Sequence, residues 1–211
     1  MSIEDIQNPS QDFLRFLESV AGIGREWQEA VDIETLLRLE KEERREAEKL
    51  LIERLQKDDF RAPPALAAAE TRGAVMPMKR RLPEASGRMK VAMAVALAKL
   101  EAIPKADPIV ASVLREGGDI DSGLPALVAA EHMRSPEIRD ALAWSCVHHP
   151  VSEVRCNAGA TLIYMAGLST NPLSWDYRPL YLQLGADDEA DRRRAFEELC
   201  AIVGMSPEVA D

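Results

Sequence analysis

Six prolines, Pro64, Pro77, Pro108, Pro125, Pro136 and Pro179, stand where runs of helix-period apolar residues would begin. The N–H at the first helical position has no intrahelical partner, so proline costs nothing there. Ser135 and Asp107 precede Pro136 and Pro108 as capping side chains, while Gly117-Gly118, Gly167 and Gly204 sit where the helices would stop. No segment shows a convincing strand period. The punctuation therefore predicts an all-α chain of many short helices in antiparallel pairs.

The longer elements follow from their apolar faces. Phe13, Phe16, Leu17 and Val20 recur at helical spacing, with Ser10 placed to cap and Gly22 to stop. A second helix is expected from Arg25 to Leu39. In KEERREAEKLLIERLQK, Ala47, Leu50, Leu51 and Leu55 form one stripe, and Glu40–Arg44 is a favourable i,i+4 pair on the opposite side. The segment is too short for a sustained heptad repeat, so it reads as a packed amphipathic helix. Near the end, Asp187 and Asp188 lie at the positive start of a helix. There Ala195, Phe196, Leu199, Cys200, Ile202 and Val203 make a one-sided core face, and Glu189, Arg193 and Glu197 line an exposed one.

Three segments share a register: MKVAMAVAL from Met89, IRDALAWSC from Ile138 and VRCNAGATL from Val154. Each opens with an aliphatic residue and a base (Lys90, Arg139, Arg155), continues with small residues, and closes at Leu97, Cys146 or Leu162. Small residues let helix axes approach closely, as in a helix packed between two neighbours. These frames resemble the second helices of HEAT-like repeats, and RAPPALAAAETRGAVMPMKRRL (61–82) is similar to a degenerate unit of the same kind. The resemblance covers roughly residues 61–166. The aspartate usual before the aliphatic–base pair is Glu153 in one unit and absent in the others, and the repeat lengths are uneven. The resemblance implies an irregular α-solenoid of short antiparallel helix pairs. Residues 1–60 would form an N-terminal helical cap, 61–166 the repeats, and 167–211 a loop and C-terminal capping helices.

Charge separates the possible partners. The formal net charge is -10. Residues 1–60 carry 9 basic and 16 acidic groups (-7), residues 61–110 carry 9 and 4 (+5), and residues 111–211 carry 8 and 16 (-8). The basic middle is densest at Lys79, Arg80, Arg81, Arg88 and Lys90. An acidic protein repels nucleic acid and anionic membranes at long range and attracts basic partners. No apolar run approaches a membrane span, and the opening MSIEDIQNPSQDF lacks the basic and apolar regions of a signal peptide. Three cysteines do not make a disulfide framework. A cytoplasmic location is expected, with no membrane partner.

Motifs for chemistry are sparse. Cys146, His148, His149 and Cys156, with His132 nearby, invite a zinc reading. The cysteines, however, fall at or beside buried frame positions, and imidazoles at a helix C-terminus suit the dipole without metal. Cys146 with His149 is no better as a nucleophilic pair, since a catalytic thiol has to be exposed. No phosphate-binding glycine loop, dinucleotide fingerprint or serine elbow is present, so no cofactor, no metal and no catalytic residue is assigned.

The most distinctive stretch is STNPLSWDYRPLY (169–181). Trp175, Asp176, Tyr177 and Arg178 combine the aromatic and guanidinium groups that interfaces concentrate. Alternatively it is a packed loop, with Asp176 capping the helix begun by Pro179 and Trp175 folded onto the last helix. Trp175, Asp176, Tyr177 and Arg178, together with Lys79, Arg80 and Arg81, are the candidate binding residues. The expected function is a non-enzymatic protein-binding module whose partner has a basic surface. An acidic immunity protein that neutralises a basic toxin is the concrete form. The alternative is a DNA-binding protein resembling the HEAT-like alkylpurine DNA glycosylases, for which Trp144, Trp175 and Asp176 are suggestive. Such a groove should be basic over several repeats, whereas residues 111–211 carry -8. Nucleic acid is therefore not the expected partner.

Overall fold

The computed structural model describes residues 8–21, 30–172, 174 and 176–210. Among them are twelve α-helices, short 3-10 turns and no strand. The chain divides into two compact units, one of residues 1–85 and 92–104, the other of 86–91 and 105–211. The helix Gly87–Lys99 contributes its first turn to the second unit and the remainder to the first.

The first unit contains α1 (Gln11–Ala21), α2 (Ile33–Arg38), α3 (Lys41–Gln56), α4 (Ala62–Ala68), α5 (Val75–Arg81) and most of α6 (Gly87–Lys99). Ser10 caps α1 as expected, its Oγ accepting from Phe13 N at 3.0 Å, and Phe13, Phe16 and Val20 are buried. The α3 stripe is buried at Ala47, Leu51 and Leu55, whereas Leu50 is only half-buried. Arg44 does not pair with Glu40, which occupies the N-cap position. Its Nε donates to Glu48 at 2.7 Å, and its other nitrogens reach the carbonyls of Leu36 (2.6 Å) and Ala69 (2.9 Å). Those are carbonyls at the ends of α2 and α4, where helices leave acceptors without an intrahelical donor. Arg61 does the same for α1, donating to Ser19 O and Val20 O while its guanidinium also binds Asp59.

The helix expected from Arg25 to Leu39 is shorter. Ala30, Val31 and Asp32 are not helical, and α2 begins only after Asp32, whose carboxylate accepts from Thr35 N at 2.9 Å and from the Thr35 hydroxyl at 2.6 Å. An aspartate that binds the backbone three residues on starts a helix rather than sitting inside one. Residues 22–29, including the Gly22 stop, lie outside the described residues.

The second unit contains α7 (Asp107–Arg115), α8 (Ile120–Ala130), α9 (Pro136–His148), α10 (Ser152–Met165), α11 (Arg178–Leu184), α12 (Glu189–Val203) and a final turn, Pro207–Ala210. Its centre is the α9–α10 pair: α9 also packs on α7 and α12, and α10 also packs on α8, α11 and α12. Glycines make the close approaches. A Cβ on Gly159 would lie 2.3 Å from Leu184 Cδ1, and one on Gly123 would lie 2.5 Å from Val154 Cγ2. All three repeated frames lie within helices, in α6, α9 and α10, and two of these are consecutive helices packed on each other.

Pro136, Pro108 and Pro179 stand in the first turns of α9, α7 and α11. Pro125 does not start a helix. It lies inside α8, which begins after Asp119, whose carboxylate accepts from Ser122 N at 2.9 Å and from the Ser122 hydroxyl at 2.8 Å. At this depth proline removes one intrahelical hydrogen bond, the one its N–H would make to the carbonyl four residues back. Asp188 caps α12, accepting from Asp191 N at 3.0 Å, and Gly204 ends it with φ +71°. On α12, Ala195, Phe196, Leu199 and Cys200 are buried, while Ile202 and Val203 are only half-buried.

Candidate protein-binding surface

The two sets of candidate binding residues belong to different units. Lys79 and Arg80 are exposed on α5, and Arg81 forms an ion pair with Asp58. Asp58 follows α3, so the basic run is partly neutralised within its own unit. The +5 segment is itself divided. The first unit carries 15 basic against 19 acidic groups and the second 11 against 17, so both are acidic.

In the second unit, Asp176 and Arg178 are exposed and Tyr177 is half-buried; Trp175 lies outside the described residues. Asp176 does not cap α11, whose N-cap position is Tyr177. Its carboxylate instead accepts from the Ser174 hydroxyl at 2.7 Å, closing a local turn. Burial pushes the Tyr181 hydroxyl pKa up, and the neighbouring Tyr177 and Asp176 add to the effect. Arg178 and Tyr181 line one side of a cleft of about 310 Å³ whose other side is Cys156, Asn157 and Ala160 of α10. The stretch thus brings Asp176, Tyr177, Arg178 and Tyr181 to one neighbourhood.

Cys146, Cys200, His148 and His149 are occupied within the fold by burial or by backbone contacts. Cys146 is fully buried, and burial, then the proximity of Cys200 and Cys156, pushes its thiol well up. Cys200 is pushed up to about 11, again by burial. Thiols held this way are protonated at neutral pH and are poor nucleophiles and ligands. His148 Nε2 lies 2.8 Å from Ala210 O, and His149 Nδ1 accepts from Val151 N at 3.1 Å. Among the described residues, no three His, Cys, Asp or Glu side chains come together as a metal site. Among the same residues, no helix is long and apolar enough to cross a membrane.

Sequence reasoning missed two features. The first is Arg155, the base of the third frame. It is buried, and all five of its N–H donors are used by backbone carbonyls: Leu184 (3.0 Å), His149 (2.8 Å), Pro150 (3.1 Å), Gly185 (2.8 Å) and Ala186 (3.1 Å). It ties the ends of α9 and α11 together. Its frame equivalents differ: Lys90 pairs with Glu116 at 2.6 Å, and Arg139 is exposed.

The second is α8. Gly123, Ala126, Leu127 and Ala130 form its buried face, yet the outward face carries Ile120, Leu124 and Val128, which are 39%, 36% and 59% exposed. Their i, i+4, i+8 spacing makes a stripe about 12 Å long. Asp121 is exposed beside it, and Glu131 follows Val128 by one turn. A helix apolar on both faces normally has cover on both. The signal was present in IDSGLPALVAA, where the apolar residues exceed what one face can hold.

No protein-family model, no curated protein and no solved structure matches this chain. The class that its own fold defines is an all-α protein of two acidic helical units.

Proposed function

We propose that this chain is a non-enzymatic protein-binding module whose partner presents a basic surface. The observation that carries the reading is the outward face of α8, an exposed apolar stripe accompanied by carboxylates on an acidic unit. Apolar side chains supply binding energy when covered, and flanking charge selects and steers the partner. A second copy of the chain would bring like charges together, so a basic partner is favoured over self-association. The neighbourhood of Asp176, Tyr177 and Arg178 on the same unit is a second contact candidate, and Lys79, Arg80 and Arg81 are a third, on the first unit. With this function goes HEAT-like stacking of short helix pairs, an irregular α-solenoid in its finer architecture, supported by the frames in α6, α9 and α10 and by the packing of α9 and α10 between neighbouring helices. An immunity protein that neutralises a basic toxin is the form that suits this size and charge. A DNA-binding role is disfavoured because each unit is acidic.

The test is affinity capture from the native host, followed by quantitative binding of the purified partner. The expected partner is basic and binds less tightly as salt rises. The double substitution Leu124→Glu with Val128→Glu should weaken it at least about tenfold without loss of helical signal by circular dichroism. An acidic partner, salt-independent affinity, or undiminished binding by the double variant overturns the reading. For the immunity form, co-expression must restore growth to cells producing the partner.

A further inference from the structure

A cleft of about 240 Å³ in the second unit, independent of the α8 face, has a ligand chemistry of its own. Two arginines stand at it, Arg134 just before α9 and Arg139 one turn inside it, and its apolar wall includes Leu162 and Met165 of α10 and Met205 beyond α12. Arg134 is held in place. Its Nη1 donates to Glu131 O at 2.7 Å and Met133 O at 2.9 Å, and its guanidinium carbon lies 5.7 Å from the centre of the Tyr164 ring. Its Nε and Nη2 have no acceptor among the described residues, and Arg139 has no carboxylate partner among them. Two acidic residues flank Arg139 on α9: Glu137, which pairs with Lys105 at 3.2 Å, and Asp140. Ser135 Oγ, also at the cleft, is shielded from solvent and lies beside the Glu137 carboxylate, whose pKa is lowered by its own backbone N–H, by Lys105 and by Ser135.

We propose that this cleft binds a carboxylate bearing a short apolar chain. Planar guanidinium groups match a carboxylate in geometry as well as charge, and Arg134 and Arg139 supply two of them. The Leu162, Met165 and Met205 wall takes the tail. A phosphate would gain the guanidinium contacts but would set its remaining oxygens against that apolar wall, at a desolvation cost. The volume suits a small acid or a single terminal residue rather than a long chain. Two sources supply this chemistry, a free short-chain acid and the C-terminal residue of a peptide.

The experiment is isothermal titration of the full chain with hexanoate and with N-acetyl-alanyl-leucine, each beside its neutral counterpart, hexanol and the peptide amide. At least one carboxylate should bind, with its neutral counterpart weaker by at least about tenfold. Arg139→Gln, an exposed change that leaves the core untouched, should weaken the binding by a similar factor. Preference for hexanoate or for the peptide identifies the source. Absence of binding by both carboxylates, equal binding of the neutral counterparts, or undiminished binding by Arg139→Gln overturns the proposal.

Discussion

Arg155 illustrates how a single side chain can close the ends of two helices. A buried guanidinium without a carboxylate survives only because five carbonyls accept from it. Arg155→Met keeps the bulk but strands those acceptors, and the urea midpoint should fall by the equivalent of about 3 kcal/mol. Arg155→Lys, with three donors in a different geometry, should recover only part of that loss. Glu70 makes the opposite case. It follows α4 with φ +54° in a turn where Thr71 N reaches Leu66 O at 3.0 Å, a helix ending that glycine adopts without strain. Its side chain is exposed, so Glu70→Gly should raise stability by about 1 kcal/mol in the same assay. Asp58 and Glu101 end α3 and α6 in the same left-handed region, which is why glycine punctuation located the ends of α7, α10 and α12 but not of these helices.

At the scale of elements, close approach decides what a frame can tolerate. A methyl at Gly159 would meet Leu184 and Leu199, so Gly159→Ala should cost about 1–3 kcal/mol by overpacking, against any gain in helix propensity. Gly73→Ala is the control, since nothing lies within 4 Å of a Cβ there and its φ is not left-handed; urea midpoints should separate the two variants clearly. Pro125 shows a limit of reading proline as a start signal. The helix starts instead at Asp119, whose carboxylate accepts from the Ser122 N–H, and Pro125 falls inside it at the expense of one intrahelical bond. The frame in α9 and α10 was legible as small residues between aliphatic ones. That its three bases would make an ion pair, an exposed arm and a five-carbonyl clasp was not legible, because each depends on which helix ends lie within reach.

For the molecule as a whole, pH should act through two separate windows. His149 is buried, and burial, then the Arg155 charge, lowers its pKa below the ordinary 6.5. The unfolded chain therefore takes up a proton before the folded one does. The contribution of neutral His149 is complete above about 6.5 and is lost as pH falls from there toward the folded value. Urea unfolding at about pH 5 and pH 7.5 should show this loss, and His149→Asn, which keeps an acceptor for Val151 N, should flatten it. The second window is more acidic. The Thr35 hydrogen bonds hold the Asp32 carboxyl below 3.8, so its contribution is present above that value and disappears as pH falls through the folded one.

The sequence by itself determined that the chain is all-α, where most helices begin, most of the inward-facing residues of α3 and α12, and that the molecule is acidic with its basic groups concentrated mid-chain. These properties follow from local physics: helical period, the orphan N–H groups of a first turn, and the count of charges. Tertiary structure alone decided that the basic middle is divided between two acidic units, that Arg155 is a clasp while Arg139 stands at an open cleft, and that the outward face of α8 is left uncovered. Each of these depends on which carbonyl, carboxylate or apolar side chain lies opposite, and chain neighbours do not specify that.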